Sequence, residues 1–186
     1  MMLRLAVLFS ALCASSCQLA CPPIISPAKW GSRPAKCAAP LSKVPPGNVI
    51  IIHTAGSACH TQPECSELLR NIQVFHRDMK EWCDISYNFL IGEDGNVYEG
   101  RGWLLEGAHT YGYNDLSLGI AFIGNFTERS PNEAAWKTLK NLLAYAVQSG
   151  YLASDYLLMA HSDVSNTVSP GKLIRETIKM WPHYKH

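Results

Sequence analysis

The chain contains 186 residues, of which 47% are hydrophobic and 17% are charged. Soluble domains commonly span ~100–200 residues, so the length predicts one folded domain, and the composition excludes a disordered polyelectrolyte. The 16 Lys and Arg residues nearly balance the 15 Asp and Glu residues, which gives a formal net charge of +1. Because the sequence has no run of Lys and Arg, it disfavours binding to nucleic acid through neutralisation of phosphates.

The N-terminus has the layout of a secretory signal peptide. Arg4 is followed by an apolar run and then by small residues. The apolar run is shorter than the ~20 residues of a transmembrane helix, and no later stretch is long and apolar enough to span a bilayer. Cleavage after Ser16 and cleavage after Ala20 are both compatible with this layout. We expect residues 1–20 to be a signal peptide that is removed, and residues 21–186 to form a single domain that is secreted to the extracellular space.

Seven cysteines in a chain of this length indicate an oxidising compartment, in which disulfides form. Cys59 and Cys65 lie close in sequence and could close a small loop. Cys37 and Cys83 would tie an N-terminal arm to the end of a helix. Free buried thiols are the alternative for each pair, and secretion of the domain disfavours them.

Two further features bear on covalent modification of the chain. Cleavage after Ala20 leaves Cys21 as an odd cysteine, which could remain free or link two chains in a disulfide-bonded homodimer. Earlier cleavage would allow it to pair with Cys17. Asn125 begins the tripeptide Asn-Phe-Thr, which is a sequon for N-glycosylation whose use the sequence leaves open.

The predicted elements begin with an irregular arm over residues 22–47, where Pro and Gly are frequent. Residues 49–53 form a β-branched run that is typical of a buried strand. Over residues 63–82, apolar side chains recur every three or four positions, which predicts an amphipathic helix. Its apolar stripe consists of Leu68, Ile72, Phe75, Met79 and Trp82. Two short strands, at 87–91 and 97–101, are predicted to form a hairpin.

The second half of the chain continues the alternation of strands and helices. A strand is predicted at 116–123, and a long helix follows it. Ser130 is predicted to cap this helix, with Glu133 completing a capping box. The buried stripe of the helix consists of Trp136, Leu139, Leu143 and Val147. A last strand at 156–160 and a third helix at 170–181 complete an α/β fold with a mixed sheet.

Two of the seven histidines, His53 and His161, directly follow predicted buried strands. They could converge in one cleft and bind a transition metal, because neutral imidazole is a common metal ligand. A catalytic zinc ion usually takes three protein ligands and a water molecule, so a third ligand would be needed. Beyond His161 the chain offers Ser169, which could instead cap the last helix, with Pro170 in its first turn. A single histidine at the end of a strand would more often have a structural role. Two such histidines favour a functional site.

Several separated motifs resemble those of the peptidoglycan recognition proteins. They are Trp-Gly at 30–31, Val-Ile-Ile-Ile-His-Thr-Ala-Gly at 49–56, Trp-Cys-Asp-Ile-Ser-Tyr-Asn-Phe-Leu-Ile-Gly at 82–92, Val-Tyr-Glu-Gly-Arg-Gly-Trp at 97–103 and His-Ser-Asp-Val at 161–164. The resemblance covers roughly residues 22–186, and motifs in the same order are more specific than any single one. It implies a central mixed β-sheet flanked by three helices, related to type 2 N-acetylmuramoyl-L-alanine amidases. It also implies a secreted protein of innate immunity that binds bacterial peptidoglycan.

Members of this family that hydrolyse peptidoglycan bind zinc through two histidines and a cysteine. The resemblance places the histidines at His53 and His161 and the cysteine at Ser169, whose neutral hydroxyl is a weak zinc ligand. Tyr87 and Thr167 match positions that assist catalysis in those members. The resemblance therefore implies a peptidoglycan-binding protein that is not an enzyme and has no metal, cofactor or catalytic residue.

The alternative is an active zinc-dependent N-acetylmuramoyl-L-alanine amidase. Asp163 lies two residues after His161 and could supply the third ligand, because two histidines and one carboxylate bind zinc in other enzymes. A water molecule is the other group that could complete such a site.

The resemblance also implies which residues contact the muramyl peptide. They are His53, Thr54, His76, Lys80, Glu81, Trp82, Tyr87, Arg101, His109, Asn114 and His161. His76 and Lys80 lie four positions apart on the predicted helix, so both are expected to face the binding cleft while the apolar stripe packs inward. The family often has Arg where this chain has Lys80, which keeps the charge but lacks the planar fork that binds a carboxylate.

Two positions bear on the type of stem peptide. Family members that prefer the diaminopimelic form resemble a Gly-Trp pair with an Arg on a neighbouring strand, and members that prefer the lysine form resemble Asn-Phe. Trp82 and Arg101 favour the diaminopimelic type, since Arg101 could pair with its additional carboxylate. Glu81 matches neither pattern and would repel that carboxylate unless it points away or pairs with Arg101.

Overall fold

The computed structural model describes residues 22–185 and contains a mixed β-sheet of six strands. The strands are β1 (Ile24–Ile25), β2 (Asn48–His53), β3 (Phe89–Ile91), β4 (Val97–Glu99), β5 (Ser117–Phe122) and β6 (Leu157–Ala160). The helices are α1 (Pro27–Trp30), α2 (Gln62–Val74), α3 (Glu133–Gln148), α4 (His161–Val164) and α5 (Lys172–Lys179), and a π-helical turn (Phe75–Met79) continues α2. The predicted signal peptide, Cys17 and Cys21 lie outside the described residues.

The order of the strands in the sheet is β1-β4-β3-β5-β2-β6. Strands β3 and β4 pair antiparallel as the predicted hairpin, and the other neighbouring strands pair parallel. The ladder between β2 and β5 runs from the pair Asn48–Ser117 to the pair His53–Phe122. The predicted α/β class with a mixed sheet is therefore confirmed, and the long strands β2 and β5 end together at one edge of the sheet.

The side chains of β2 alternate between the two faces of the sheet. Val49 and Ile51 pack into one core with α3 and α5, whereas Ile50 and Ile52 pack into a second core with α2. All four side chains are buried, which explains the uninterrupted hydrophobic run at 49–52. The three longest helices thus flank the sheet as the resemblance implies, with α3 and α5 on one face and α2 on the other.

The predicted apolar stripe of the first long helix is wrong in its C-terminal half. Phe75 and Met79 are 49% and 72% exposed, and Trp82 is half-exposed. The helix changes to a π-helical turn after Val74, and the N–H of Lys80 donates to the carbonyl of Phe75 at 3.1 Å. This wider turn changes which side chains face the sheet, and a spacing of three and four residues does not anticipate it.

The inward face of the same helix instead passes through polar residues. It continues from Leu69 through Gln73 to His76, all of which are buried. Gln73 is satisfied there because its Nε2 donates to Ser32 Oγ at 2.8 Å and to Asp84 Oδ1 at 2.6 Å. Hydrogen-bond partners from other segments thus stabilise polar side chains on the inward face, where the hydrophobic pattern predicts apolar ones.

The cap of α3 also differs from the prediction. Asn132 is the capping residue, and its Oδ1 accepts a backbone N–H of the first turn at 2.9 Å. Ser130 Oγ instead accepts a hydrogen bond from Trp136 Nε1, and Glu133 is the first residue of the helix. The cap is held from outside by Glu93 Oε1, which accepts the N–H of Asn132 at 2.9 Å. Glu93 lies 39 positions earlier in the chain, so the local pattern does not reveal this contact.

Both predicted disulfides, Cys37–Cys83 and Cys59–Cys65, are present. The first spans 46 positions and attaches the N-terminal arm to the segment that follows the π-helical turn. Closing such a loop restricts the unfolded chain and typically stabilises a small domain by ~2–4 kcal/mol. Within residues 22–185, none of the helices has the length and hydropathy of a membrane span.

Candidate functional site

The parallel strands β2 and β6 bring two histidines to one edge of the sheet. His53 is the last residue of β2, and His161 directly follows β6. The ladder between these strands pairs Ile51 with Ala160, so both histidines emerge at the same edge. Both line one pocket of about 290 Å³. The expected convergence of the two strand-end histidines is therefore confirmed.

This inner pocket adjoins a second, outer pocket of about 450 Å³. The inner pocket is lined by Ile52, His53, Thr54, Ala55, His76, Trp82, Ser86, Tyr87, Ala108, His109, His161, Thr167, Val168 and Ser169. The outer pocket is lined by Cys37, Ala38, Ala39, Glu81, Trp82, Cys83, Arg101, Glu106, Gly107, Ala108 and Asn114. Because the two pockets share Trp82 and Ala108, they form one continuous depression, which we call the groove.

The groove brings together the predicted binding residues with one exception. His53, Thr54, His76, Glu81, Trp82, Tyr87, Arg101, His109, Asn114 and His161 all line one of its two pockets. Lys80 is exposed and lines neither pocket. Its Nζ lies 5.5 Å from the centroid of the Phe75 ring, on the outer surface of the π-helical turn. We expected the four-residue spacing of an α-helix to place Lys80 beside His76 in the cleft. The π-helical turn changes that spacing, so Lys80 lies outside the cleft.

Ser169, the predicted third ligand position, is bound to the backbone of β2. It is buried, and its Oγ accepts the N–H of His53 at 3.1 Å. The N–H of Ser169 donates in turn to Thr167 Oγ1 at 3.1 Å. The expectation that Ser169 caps the last helix is wrong, because α5 begins at Lys172 and is preceded by Gly171.

The His53 ring is held by a hydrogen bond from the segment after β5. Its Nδ1 accepts the N–H of Phe126 at 3.1 Å. Burial and the neighbouring His161 lower the pKa of His53, and the carbonyl of Pro170 opposes this shift. A neutral imidazole that accepts at Nδ1 carries its proton on Nε2. A metal ion could therefore bind this ring only by displacing the N–H of Phe126 from Nδ1 or the proton from Nε2.

The residues at the expected zinc position do not fit a zinc site. Zinc in proteins is held by thiolate, imidazole or carboxylate, whereas Ser169 supplies a neutral hydroxyl that already accepts a hydrogen bond. In the part of the chain from 22 to 185, no three His, Cys, Asp or Glu side chains are grouped so that they could hold a metal ion. Among the described residues, His53 and His161 therefore have no third ligand at the expected zinc position.

Asp163 does not supply the missing ligand. Its Oδ2 accepts the N–H of Ala160 and the hydroxyl of Tyr184, and its Oδ1 accepts Arg175 Nε, each at 2.7 Å. Burial alone would raise the pKa of Asp163, but these hydrogen bonds lower it. The carboxylate thus ties the end of β6 to α5 and the C-terminal segment and lines neither pocket of the groove.

Two buried ring nitrogens in the groove, His109 Nε2 and His161 Nδ1, have no hydrogen-bond partner among the described residues. Burial lowers the pKa of His161, and burial with the nearby charges of His161 and Arg101 lowers the pKa of His109 to about 3. Both rings are therefore uncharged at neutral pH. An unpaired buried polar atom costs ~1–3 kcal/mol, so these nitrogens gain free energy when a ligand bonds to them.

His76 forms an aromatic wall together with Trp82 and Tyr87. Its ring centroid lies 5.0 Å from that of Trp82 and 5.7 Å from that of Tyr87. Its Nδ1 accepts the N–H of Ser86 at 3.1 Å, which fixes the plane of the ring. Burial lowers the pKa of His76 to about 4, with smaller contributions from neighbouring cations. The wall is thus apolar and uncharged at neutral pH.

Arg101 is oriented in the outer pocket by three backbone carbonyls. Its Nε donates to Ile85 at 2.7 Å, Nη1 donates to Glu106 at 2.9 Å, and Nη2 donates to Asp84 at 3.4 Å. A guanidinium has five N–H groups, so two remain for a ligand. Glu81 is exposed and forms no ion pair with Arg101 among the residues that the structure describes.

Apart from Asn114, the sequence interpretation missed the residues that support His109. Gly119, in β5, and Gly107 leave room for its ring, since a Cβ at either position would overlap the imidazole. Asn114 Oδ1 accepts the N–H of His109 at 2.8 Å. Asn88, which is fully buried, accepts the N–H of Gly119 at 2.9 Å. The glycine within a predicted strand was the available signal, because such a glycine often marks a close approach.

A family model described as N-acetylmuramoyl-L-alanine amidase matches residues 42–172. The chain is 53% identical to Peptidoglycan recognition protein 3 of Mus musculus over 167 residues, which cover 90% of this chain and 48% of that relative. It is 43% identical to Peptidoglycan recognition protein 1 of Mus musculus over 173 residues, 92% of each chain. The chain therefore spans about half the length of the first relative and nearly all of the second.

A solved structure has the same fold. The human protein in the "Crystal structure of human PGRP-IBETAC in complex with glycosamyl muramyl pentapeptide" matches with a TM-score of 0.85 and 46% identity, over 89% of this chain and 100% of that chain. The sheet, the flanking helices and the converging strand ends described above are thus those of an amidase-like domain. On these identities and this fold, the chain belongs to the peptidoglycan recognition protein family.

Proposed function

We propose that this protein binds muramyl peptides of bacterial peptidoglycan in the groove and does not hydrolyse them. The observation that carries the proposal is the state of Ser169, whose neutral hydroxyl bonds to the backbone of His53 where an amidase needs a third zinc ligand. The groove otherwise retains aromatic walls, unpaired ring nitrogens and a guanidinium with two N–H groups left. Recognition is therefore kept while the means of hydrolysis is absent.

A muramyl peptide offers hydroxyls, amides and carboxylates to such a groove. The neutral imidazoles of His109 and His161 each have one buried ring nitrogen without a partner among the described residues, which gains a hydrogen bond when a ligand binds to it. Trp82 and Tyr87 present ring faces against which a sugar or an aliphatic stem can pack. The muramyl pentapeptide bound to the human relative supports this class of ligand.

We infer a preference for stem peptides that contain diaminopimelic acid. The two remaining N–H groups of Arg101 can form a charge-assisted, bidentate contact with the additional carboxylate of that residue. Glu81 lines the same pocket and is not neutralised by Arg101, so its charge weakens the preference. Titration with both stem types measures the ratio of their affinities, which shows whether attraction by Arg101 exceeds repulsion by Glu81.

The mature protein is proposed to act outside the cell as a pattern-recognition protein of innate immunity. The disulfides Cys37–Cys83 and Cys59–Cys65 are suited to an oxidising compartment. Removal of residues 1–20 would leave Cys21 available to link two chains as a homodimer. Mass spectrometry of secreted protein, with and without reductant, tests the cleavage site and the dimer together.

The decisive experiment combines three measurements on purified mature protein. Muramyl pentapeptides with each stem type are titrated by calorimetry, tightly bound zinc is quantified, and release of free stem peptide from peptidoglycan is followed. We expect affinity in the micromolar range or tighter, no stoichiometric zinc and no release. Stoichiometric zinc together with cleavage of the lactyl-amide bond would show instead that the protein is an amidase.

Substitution of Ser169 tests the reason for the proposed inactivity. Ser169→Cys should gain zinc affinity because it restores an anionic ligand next to two imidazoles. Ser169→Ala is the matched control, since it removes the hydroxyl without adding a ligand, and it should bind no zinc. If both variants are equally free of zinc, the missing thiolate is not what prevents metal binding.

A further inference from the structure

A second cavity lies on the face of the sheet that is covered by α3. Its volume is about 580 Å³, larger than that of either pocket of the groove, and it shares no lining residue with them. It is bounded by α3, by Tyr156 and by the C-terminal segment 181–183. We call it the α3 cavity. Sites for small ligands usually measure ~300–1,000 Å³, so its size suits a single small molecule.

The lining of the α3 cavity is mainly apolar. Leu143 and Val147 of α3 belong to or pack against the main core, and Trp181 closes the cavity from the C-terminal side. The ring of Tyr156 stacks on that of His183, with centroids 4.2 Å apart and planes within 10°. Flat aromatic and aliphatic walls of this kind bind an apolar body by contact area.

One lining residue, Lys140, carries a formal charge. Its Nζ lies 5.3 Å from the centroid of the Trp181 ring. Between residues 22 and 185, no carboxylate oxygen lies within 4.0 Å of this ammonium, and no Asp or Glu lines the cavity. An apolar cavity beside a single unpaired cation is complementary to an anion that has an apolar body.

The C-terminal wall of the cavity is held by hydrogen bonds to β6. The N–H of Leu158 donates to the carbonyl of His183 at 2.7 Å, and the N–H of Lys185 donates to the carbonyl of Leu158 at 2.9 Å. His183 has φ +76°, which is unfavourable for a residue other than glycine. Such strained conformations persist where surrounding contacts impose them, and they cluster at ligand sites. The wall of the cavity is thus fixed by backbone hydrogen bonds to β6.

We propose that the α3 cavity binds a free amphipathic monocarboxylate, with its alkyl or aryl body between the apolar walls and its carboxylate at Lys140. A membrane surface is a poorer match, because surfaces that bind anionic lipids carry several Lys and Arg residues, and this cavity has one. The proposal does not depend on peptidoglycan binding, since the α3 cavity and the groove share no residue.

Sodium decanoate below its micelle concentration is a suitable probe, titrated by calorimetry into the mature protein. Lys140→Gln should weaken its binding about tenfold, because a hydrogen bond to a charged group is lost. Ala144→Trp should abolish binding, because Ala144 is an exposed lining residue and the indole would fill the cavity. Lys137→Gln is the matched control on α3, since Lys137 is exposed and lies outside the cavity, and it should bind normally.

A proton–nitrogen correlation spectrum locates the bound decanoate. The Trp181 indole signal should shift on titration, while the amide signals of the groove should not. Groove amide signals at the same positions in Ala144→Trp as in the unmodified protein would establish that this variant is folded. The proposal is overturned if Ala144→Trp binds decanoate as well as the unmodified protein does, if the shifts are confined to the groove, or if the protein binds only to anionic vesicles.

Discussion

Two buried polar clusters in this protein differ in how completely their polar atoms are paired. At the start of α3, Glu93 accepts two hydrogen bonds from Arg129, at 2.9 and 2.7 Å, and a third from the N–H of Asn132. In the groove, His109 Nε2 and His161 Nδ1 have no partner within residues 22–185. Paired buried groups stabilise a fold, whereas unpaired ones cost free energy and are retained where a ligand uses them. We therefore expect the first cluster to contribute to stability and the second to the proposed binding.

Acidification should have the largest effect, and it should act through the groove. The folded protein holds the pKa of His76 at about 4 and that of His109 at about 3, both below the ordinary value of 6.5. Between those values and ~6.5 the unfolded chain binds more protons than the folded one, so the free energy of unfolding falls as the pH decreases. For His76 alone the loss is on the order of 3 kcal/mol by about pH 4. Urea unfolding at about pH 7 and at about pH 4.5 measures most of this loss in the free energy of unfolding.

Two variants assign that loss to the groove. His76→Gln keeps an acceptor for the N–H of Ser86 but does not titrate, so its stability should depend less on pH. His60→Gln is the comparison, because the exposed His60 ring lies 4.0 Å from Glu93 and helps Arg129 to lower the pKa of that carboxyl. This variant therefore shows what the paired cluster contributes to the pH dependence. The bond from Arg129 lowers the pKa of Glu93, so the Glu93 cluster keeps its charge into more acidic solution. An unchanged pH dependence in His76→Gln would contradict this account.

Weakening the paired cluster should lower stability and leave binding intact. Glu93→Gln removes the charge that Arg129 and Asn132 contact, and we expect the free energy of unfolding to fall by about 2 kcal/mol. The loss is limited because Arg129 is 47% exposed and can be hydrated. Glu67→Gln, at an exposed glutamate, should change stability little. Urea unfolding and muramyl peptide titration of both variants test this, and a loss of affinity without a loss of stability would refute it.

The same contrast explains how much could be predicted from the sequence. The β2 strand, the Cys59–Cys65 disulfide and the strand-end histidines were predictable, because a β-branched run, two neighbouring cysteines and strand-end positions are visible in short stretches. The cap at Asn132 was not, since Glu93 holds it from 39 positions away. The family resemblance predicted that Ser169 stands where active members have a zinc ligand, but it could not reveal the bond of Ser169 to His53, which spans 116 positions. Local pattern thus predicts elements, whereas long-range pairing decides which polar groups are satisfied.

Arg101 lines the groove and is expected to contact the ligand, whereas Lys80 lies outside the groove and is not. Arg101→Lys keeps the charge but loses the planar fork, so affinity for a diaminopimelic stem should fall about tenfold while affinity for a lysine stem changes less. Lys80→Gln should change either affinity less than about twofold, because Lys80 lies outside the groove and a screened surface charge contributes little. Calorimetric titration with both stems measures these ratios. Equal losses for both stems in Arg101→Lys would mean that its fork does not read the additional carboxylate.

At Glu81, the effect of backbone conformation and the effect of charge can be separated. Glu81 has φ +59°, a conformation that glycine adopts without strain and that asparagine tolerates. This explains why the Gly-Trp and Asn-Phe pairs of the family have glycine or asparagine at this position. Glu81→Gly should raise the free energy of unfolding by about 1 kcal/mol, whereas Glu81→Gln keeps the Cβ and should leave stability unchanged. Both variants remove a charge beside Arg101, so both should raise affinity for a diaminopimelic stem by about twofold. If the two variants prove equally stable, strain at this position is absent, and the residue then acts on the ligand through its charge alone.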